Sequence, residues 1–291
     1  MKVAWVMNLG ADEELRRYTS GGRTPSLAAL DKGVLTMVTA HRDVLDRLAR
    51  GGPIVGLDVV EKGLSGRAFA PTPLALAALT DAGARPCDAP PIEVLARVNH
   101  RAFCASLGPT LPGAAYVTSL GALEAAWSAA EWPGSWVVKH PHGYVGRLRH
   151  TTQELDARTR DFAQRCLDEA GGVRVEPWVE RTADFALHGF LARTGAVTVG
   201  EPTAQRCDAR GAWRGSTRDH DLEPDELRAL RDELERVADA LRSAAYFGPF
   251  GLDAFRYLLR GRAAFHPRVE INARYTMGWA VGMGELRPDL E

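Results

Sequence analysis

The stretch Ala264-Phe265-His266-Pro267-Arg268-Val269-Glu270-Ile271-Asn272-Ala273-Arg274, near the end of the sequence, alternates polar and apolar residues. If it forms a β-strand, the alternate positions from His266 to Arg274 share one polar face, and the positions between them are mostly apolar. Contact with solvent is the ordinary explanation of a polar face, but asparagine is depleted in strands. Glu270 and Asn272 offer oxygen ligands for a hard divalent cation, and the arginines beside them suit phosphate. This strand alone leaves both explanations open.

The segment before it predicts a hairpin. Gly248 to Leu259 has the pattern of a strand, and Arg260-Gly261 has that of a tight turn. With a two-residue turn, Leu259 pairs with Arg262, and Asp253 falls opposite Arg268. A three-residue turn would instead put Asp253 on the other face.

The even-numbered turn gathers three oxygen-bearing side chains. Directly opposed residues point to the same side of a sheet, so Asp253 then shares a face with Glu270 and Asn272. Such a set can hold one or two Mg²⁺ ions between the β- and γ-phosphates of ATP.

The composition is that of a globular protein. The 291 residues are 45% hydrophobic and 25% charged, with a formal net charge of −1. This length allows two or three domains, and the charge balance argues against a nucleic-acid partner. The four cysteines stand far apart without a CxxC pair, which indicates reduced thiols in a cytoplasmic protein. We find neither a signal-peptide pattern nor a run near the ~20 apolar residues of a membrane span, and expect no membrane association.

The first part of the chain alternates strand and helix patterns, which predicts a small, mainly parallel α/β domain. The predicted strands are Val3–Met7, Val34–Val38 and Ile54–Leu57, and the predicted helices lie around Leu27–Leu30, Asp43–Ala49 and Pro73–Ala82. The loop from Asn8 to Glu14 follows the first strand and suits either substrate contact or helix capping. A linker at Arg85–Pro91 leads us to expect three domains, at 1–94, 95–182 and 183–291.

The central part carries a second group of candidates. A helix is predicted from Ile92 to Leu107, and the strand Trp136–Lys139 ends in a lysine. Residues 140–150 follow with glycines and basic residues, which suits a loop over phosphates and equally a surface hairpin. Farther on, the strand Val173–Glu180 ends in Glu-Pro-Trp-Val. Its backbone could face an adenine edge, although a core strand with Trp178 inside explains it better when taken alone.

In this order, the pieces resemble the ATP-grasp superfamily, in which two α+β subdomains hold ATP between them, often behind a Rossmann-like domain. The resemblance covers about residues 95–291, and Glu270-Ile271-Asn272-Ala273-Arg274 is similar to the family's Glu-Val-Asn-Pro-Arg. It implies a parallel N-terminal α/β domain followed by two antiparallel-sheet subdomains with ATP between them.

The resemblance also implies roles in nucleotide binding. Lys139 would hold the α- and β-phosphates, and Arg101 would stand where the family usually has a second lysine, although arginine is not equivalent to lysine there. Gly143 and Gly146 would form the loop over the phosphates, which departs from the family because it has no Gly-Gly pair.

The hinge and the ribose site are implied in the same way. Glu176 would mark the hinge, with the backbone of Trp178 and Val179 against adenine. Asp184 is the candidate for the ribose hydroxyls, and Glu180 is its rival.

At the hairpin, the resemblance gives Asp253, Glu270 and Asn272 the role of Mg²⁺ ligands, with Mn²⁺ as an alternative. Arg274, and Arg268 beside it, would neutralise charge on the transferred phosphoryl group or on the substrate carboxylate.

The implied activity is ligation. A substrate carboxylate, from a small molecule or a peptide, would attack the γ-phosphate of ATP and give an acylphosphate. An amine, or a thiol or hydroxyl, would then displace phosphate, while residues 140–150 keep water away. A kinase on the same scaffold and a non-catalytic nucleotide-binding protein remain alternatives. The sequence does not name the two substrates or the oligomeric state.

Two further segments stay ambiguous. Met277-Gly278-Trp279 and Met283 suit either the core or the floor of an active site. The polar, turn-rich segment 201–220 fits a surface hairpin or a wall for substrate recognition near the metal-binding hairpin.

Overall fold

The computed structural model describes residues 2–22, 34, 36–109, 111–130, 132–143, 148–208 and 213–290. Its strands form three sheets: one parallel pair and two antiparallel sheets of four and six strands. In the described part of the chain, no helix combines the length and the apolar character that crossing a membrane requires.

The N-terminal unit is built on two parallel strands, β1 (Val3–Val6) and β2 (Ser65–Ala68). Isolated parallel bridges from Trp5 to Ile54 and from Ser65 to Arg85 widen this sheet. Among the described residues, the helices of the unit include α1 (Ala11–Thr19), α2 (Arg42–Ala49) and α3 (Pro73–Asp81). The predicted first strand and the last two predicted helices are therefore confirmed.

Two predicted strands of this unit are wrong. Within Val34–Val38, the described residues are helical, and Ile54 makes only a single bridge. A short apolar run does not distinguish a strand from a buried helix, which explains the first error. No local pattern predicted β2, because Ser-Gly-Arg-Ala is not typical of a strand. A Cβ on Gly66 would come within 2.8 Å of Leu79, so close packing of α3 explains the glycine. The helix expected around Leu27–Leu30 lies outside the described residues.

The four-stranded sheet has the antiparallel order β3-β6-β4-β5. Its strands are β3 (Ala115–Val117), β4 (Trp136–Lys139), β5 (Arg149–Thr152) and β6 (Val173–Pro177). Helices α6 (Leu120–Ala129) and α7 (Ala157–Ala170) contribute Leu123 and Cys166 to the core against its apolar face.

Two helices precede this sheet where one was predicted. They are α4 (Ile92–Val98) and α5 (Arg101–Ser106). Asn99 bonds to Leu95 and to the backbone of Ala273, and the ring of His100 caps α5 by accepting from the Ala102 amide. These side-chain bonds to the backbone end one helix and begin the next.

The six-stranded sheet has the order β10-β9-β7-β11-β12, with β8 also paired to β7. Its strands are β7 (Glu180–Leu191), β8 (Val197–Val199), β9 (Thr203–Cys207), β10 (Trp213–Thr217), β11 (Gly248–Leu259) and β12 (Arg262–Asn272). The long helix α8 (Pro224–Ser243) packs Leu234 and Leu241 against one face. After β12 comes the short helix α9 (Trp279–Met283).

The segment after β12 joins the large sheet to the N-terminal unit. The amide of Tyr275 donates to the carbonyl of Phe69 at 3.0 Å, and the ring of Tyr275 lies edge-on between Trp5 and Trp279. Fixing this segment fixes Arg274, which precedes it directly in the chain.

Candidate active site

The β11–β12 hairpin has the predicted two-residue turn, in which Arg260 and Gly261 both have positive φ values, 52° and 77°. The register matches the prediction from the turn as far as Phe255. Beyond a bulge, however, Asp253 pairs with Glu270, so the predicted pairing with Arg268 is wrong. A shift of two residues preserves the face on which a side chain lies, and the predicted grouping of the carboxylates is therefore kept.

The bulge reverses the expected orientation of Arg268 and Val269. Arg268 is 2% exposed, donates to the carbonyl of Gly108 and lies 3.2 Å from Glu233 of α8. Val269 instead packs in the cluster of Phe255 and lines the cavity described next. The predicted placement of Arg268 on the polar face is therefore not what the structure shows.

A cavity of about 310 Å³ lies where the two antiparallel sheets and the N-terminal unit meet. Most of the predicted site residues line it: Arg101, Lys139, Gly143, Asp184, Asp253, Glu270, Asn272 and Arg274. Glu176, Trp178, Val179, Glu180 and Arg268 are not among its lining residues, and Gly146 lies outside the described part of the chain.

One wall of the cavity carries the carboxylates of the hairpin. Asp253 accepts hydrogen bonds from Gln205 and from Asn272, both at 3.0 Å. Burial, and then the charge of the facing Glu270, raise the pKa of Asp253 to about 6. The negative charge of Glu270 therefore disfavours ionisation of Asp253, as expected where like charges share a site.

Arg101 connects this wall to the start of the loop after β4. Its guanidinium lies 3.0 Å from Glu270 and donates to the carbonyls of His140 and Gly143, at 2.6 and 2.9 Å. The amide of His140 also donates to the carbonyl of Leu148 at 2.9 Å, which closes the base of the loop. In this arrangement, Arg101 holds the loop as well as facing the cavity.

The opposite wall carries a buried ionic cluster. Lys139 and Arg174 both donate to Glu176, the arginine at 3.0 Å. Burial by itself would raise the pKa of Glu176, but the two cations outweigh it and hold that pKa well below its usual range. Burial also lowers the pKa of Lys139, although Glu176 opposes that change.

The hinge predicted after Glu176 lies between the two sheets, since β6 ends at Pro177 and β7 begins at Glu180. The Trp178 amide donates to the carbonyl of Ser135 at 2.8 Å, and the residue is 39% exposed. The alternative that placed Trp178 in the core is therefore wrong. Val179 is the buried residue of this pair, at 8% exposure.

The two candidates for ribose differ in position. Asp184 lines the cavity and pairs with Arg181 at 3.1 Å. Glu180 is exposed at the start of β7. The geometry favours Asp184 for any group bound inside the cavity.

Arg274 lies at the boundary with the N-terminal unit. Its guanidinium is 3.2 Å from Asp12 of α1 and 5.9 Å from the centre of the Phe69 ring. The segment from Asn8 to Glu14 thus reaches the site, as its interpretation as a substrate contact requires.

Sequence reasoning missed three cationic side chains. Arg149 of β5 and Arg181 of β7 line the cavity from the two antiparallel sheets, and Arg174 forms part of the buried cluster. A signal existed for Arg174, because it stands two positions before Glu176 in one strand and so shares its face. Arg149 and Arg181 had no comparable local signal.

The hairpin donors suit a hard cation. Within the described residues, no group of three His, Cys, Asp or Glu side chains is arranged to hold a metal. Asp253, Glu270 and Asn272 offer two carboxylates and an amide on one face, and oxygen donors of this kind are those that Mg²⁺ takes together with substrate phosphates. These residues would fit a Mg²⁺ ion.

No protein-family model and no curated protein matches the chain. Solved structures do. N5-carboxyaminoimidazole synthetase from Staphylococcus aureus, complexed with ADP, is 10% identical with a TM-score of 0.52, over 94% of this chain and 71% of that one. D-alanyl-alanine synthetase A from Vibrio cholerae is 12% identical with a TM-score of 0.54, over 97% and 91%. A biotin carboxylase–βγ-ATP complex from Campylobacter jejuni is 10% identical with a TM-score of 0.55, over 96% and 67%.

These proteins have the ATP-grasp fold, and the present chain has it too. The predicted fold class, a parallel α/β unit with two antiparallel sheets, is thereby confirmed. Identities this low establish the fold alone, so the roles of individual residues remain predictions.

Proposed function

We propose that the chain is an ATP-dependent ligase that activates a carboxylate as an acylphosphate and joins it to an amine, or to a thiol or hydroxyl, with release of ADP and phosphate. The observation that carries the proposal is one cavity with cationic side chains on one wall and the Asp253–Glu270–Asn272 group on the other. A nucleotide triphosphate with its divalent cation has the complementary charges.

The nucleotide would lie between the two antiparallel sheets. We assign the phosphates to Lys139, with Arg149 and Arg181 as additional cations on the same cavity. Adenine would meet the backbone after Glu176. Because the Trp178 amide already bonds to Ser135, the neighbouring Val179 is the better candidate for that contact.

The remaining assignments follow the same geometry. Asp184 would bind the ribose hydroxyls, and the expected domains at 1–94, 95–182 and 183–291 would supply substrate contacts, the cationic wall and the carboxylate wall. Asp253, Glu270 and Asn272 would hold Mg²⁺, or Mn²⁺, which when bound neutralises phosphate charge. We assign no catalytic role to Arg268, because it packs against α8.

In the first step, a carboxylate oxygen forms a bond to the γ-phosphorus while the bond to the β-phosphate oxygen breaks, which gives ADP and an acylphosphate. Arg274 would orient the substrate carboxylate, and Lys139 would stabilise the charge on the phosphates. In the second step, the amine attacks the acyl carbon, phosphate leaves and the amine loses a proton. The loop anchored by Arg101 would exclude water from the acylphosphate.

The test is the thermal stability of the protein with and without an ATP analogue and Mg²⁺. Ligand at 100 times its Kd should add about 2.7 kcal/mol to the free energy of unfolding. Glu270→Gln should weaken the Mg²⁺-dependent part of this gain. Glu285→Gln is the matched control, because that side chain is 96% exposed outside the cavity. Absence of any shift in the unmodified protein would contradict the proposal.

Ligase and kinase chemistry are then separated by their products. A ligase releases inorganic phosphate only when both the acid and the nucleophile are present, whereas a kinase transfers the phosphoryl group to a hydroxyl and keeps it there.

A further inference from the structure

The cavity has a second part that the proposed nucleotide contacts do not use. We name it the apolar chamber and define it by the side chains of Leu9, Met37, Phe69, Trp213 and Met277. The first three come from the N-terminal unit, Trp213 begins β10, and Met277 follows β12. Five separate segments of the chain thus converge on one apolar lining.

Arg274 connects the chamber to the carboxylate wall. It stands two residues after Asn272, and its guanidinium lies 5.9 Å from the centre of the Phe69 ring. A carboxylate bound by Arg274 would therefore have its reacting oxygen directed toward the metal-binding hairpin and its substituent toward the chamber.

The chamber has little charge to offer. Among the described residues that line the cavity from the N-terminal unit, from β10 and from the segment 274–278, the formally charged side chains are Asp12 and Arg274. They pair with each other at 3.2 Å. A second anionic group on a substrate would be desolvated there beside Asp12, and Arg274 is the one formally charged cation that the described residues of these segments offer, so burying that group is costly.

The walls of the chamber are well supported. The rings of His41 and Trp213 meet edge to face with centroids 5.8 Å apart, and the Trp213 indole donates to Ser216 at 2.9 Å. A Cβ on Gly278 would lie 2.8 Å from the Ser216 hydroxyl, so this position stays without a side chain. Met37 and Met277 add flexible thioether groups that adapt to apolar ligands.

We propose that the apolar chamber binds the substituent of the substrate acid, and that this acid is a monocarboxylic acid with an uncharged, apolar side group. The inference rests on the proposed ligase function, because it takes Arg274 as the group that binds the reacting carboxylate. It excludes dicarboxylic and phosphorylated acids as preferred substrates. Met37, Phe69, Trp213 and Met277 are the residues that set this selectivity.

The experiment measures binding of size-matched acids to the full chain loaded with Mg²⁺ and a non-hydrolysable ATP analogue. Hexanoate is compared with glutarate, and methionine with glutamate, by the added shift in melting temperature. We expect the apolar member of each pair to bind at least about tenfold more tightly, a difference of about 1.4 kcal/mol. Equal binding, a preference for the diacid, or no added shift with any of the four acids would overturn the inference.

Two variants test which residues are responsible. Met277→Lys places a cation in the chamber and should shift preference toward glutarate and glutamate, and Met37→Lys provides an independent version if the first variant does not fold. Met277→Leu is the matched control, since it conserves volume and should keep the apolar preference. Unchanged selectivity in both folded lysine variants would remove the chamber from substrate recognition.

Turnover distinguishes failure of the chamber from failure of the ligase proposal. Hydroxylamine is used as the nucleophile, because its nitrogen displaces phosphate from an acylphosphate and leaves a hydroxamate. Selective binding without ADP or hydroxamate would overturn the ligase function and leave the chamber as a binding site. Hydroxamate formation without an apolar preference would support the ligase function and overturn the role of the chamber.

Discussion

The two walls of the cavity shift the pKa of a buried carboxylate in opposite directions. On the four-stranded sheet, Glu176 lies between Lys139 and Arg174, and its pKa is held well below the usual range. On the six-stranded sheet, burial and the facing Glu270 raise the pKa of Asp253 to about 6. On the first wall, Lys139 and Arg174 neutralise the charge of Glu176 and leave an excess of positive charge. The second has an excess of negative charge, and this asymmetry suits a phosphate chain with a divalent cation beside it.

The largest effect should come from breaking the compensated wall. Glu176→Gln leaves Lys139 and Arg174 buried without their counter-charge, so we expect the free energy of unfolding to fall by about 3–5 kcal/mol. Urea denaturation measures this change. The control is Glu124→Gln, which removes the partner of Arg160 from a pair exposed by 52% and 42%, and should cost less than about 1 kcal/mol. Equal losses in the two variants would mean that the buried cluster does not stabilise the fold.

The next effect is a loss of stability in acid that originates beside the same wall. Burial lowers the pKa of His140 to about 4 and that of His142 to about 2, whereas unfolded histidine titrates near 6.5. The unfolded chain therefore binds more protons below pH 6.5. The contribution of the neutral rings to stability is complete above that value. As the pH falls below it, the free energy of unfolding should drop by up to about 1.4 kcal/mol per pH unit for each ring.

Denaturation curves between pH 7 and pH 5 test this expectation. His142→Asn should reduce the slope of stability against pH by the contribution of one histidine. The partly exposed His220→Asn, which lies outside this cluster, is the comparison variant. A wild-type protein equally stable at both pH values would contradict the burial of neutral rings.

Removing the charge on the other wall should cost little. The pKa of Asp253 is raised in the folded state, so ionisation of this group lowers stability as pH rises from about 4 to about 6. Asp253→Asn should therefore lower the free energy of unfolding at pH 7 by less than about 1 kcal/mol, or raise it. The variant removes an unfavourable buried charge but loses one of the two hydrogen bonds that Asp253 accepts. A loss as large as that of Glu176→Gln would mean that the two walls do not differ as described.

The smallest effect is expected at the hinge between the walls. Trp178→Leu should change the Kd of the ATP analogue less than about fivefold, because the proposed adenine contact uses the backbone. What the variant loses is the cation–π contact between the ring and Arg149, whose guanidinium lies 5.4 Å from the ring centre. Isothermal titration measures the affinity, with Leu286→Ala as a control at an exposed apolar position. A larger loss of affinity would show that the indole ring itself contacts the nucleotide.

The hairpin shows how far local rules extend. Arg260-Gly261 predicted the turn, because a two-residue turn of this kind needs positive φ at both positions. The bulge went unrecognised, although Pro267 was a signal for it. Proline cannot donate to the ladder and is tolerated at edge strands and bulges, and β12 is an edge strand with a bulge at this point.

The N-terminal unit shows where such rules fail. The apolar run from Val34 to Val38 suited a strand, but its described residues form a helix. The true second strand contains a glycine that is required by the packing of Leu79. Both outcomes depend on residues distant in sequence, which a local sequence pattern does not include.

The sequence by itself determined the order of the site residues and the face that Asp253, Glu270 and Asn272 share, because the period of a strand is a local property that a two-residue bulge leaves intact. Tertiary structure decided the partner of each charge. Arg274 and Asp12 meet across 262 positions, Arg268 contacts Glu233, and five separate segments enclose the apolar chamber. Such contacts depend on how complete layers pack, and no spacing along the chain encodes them.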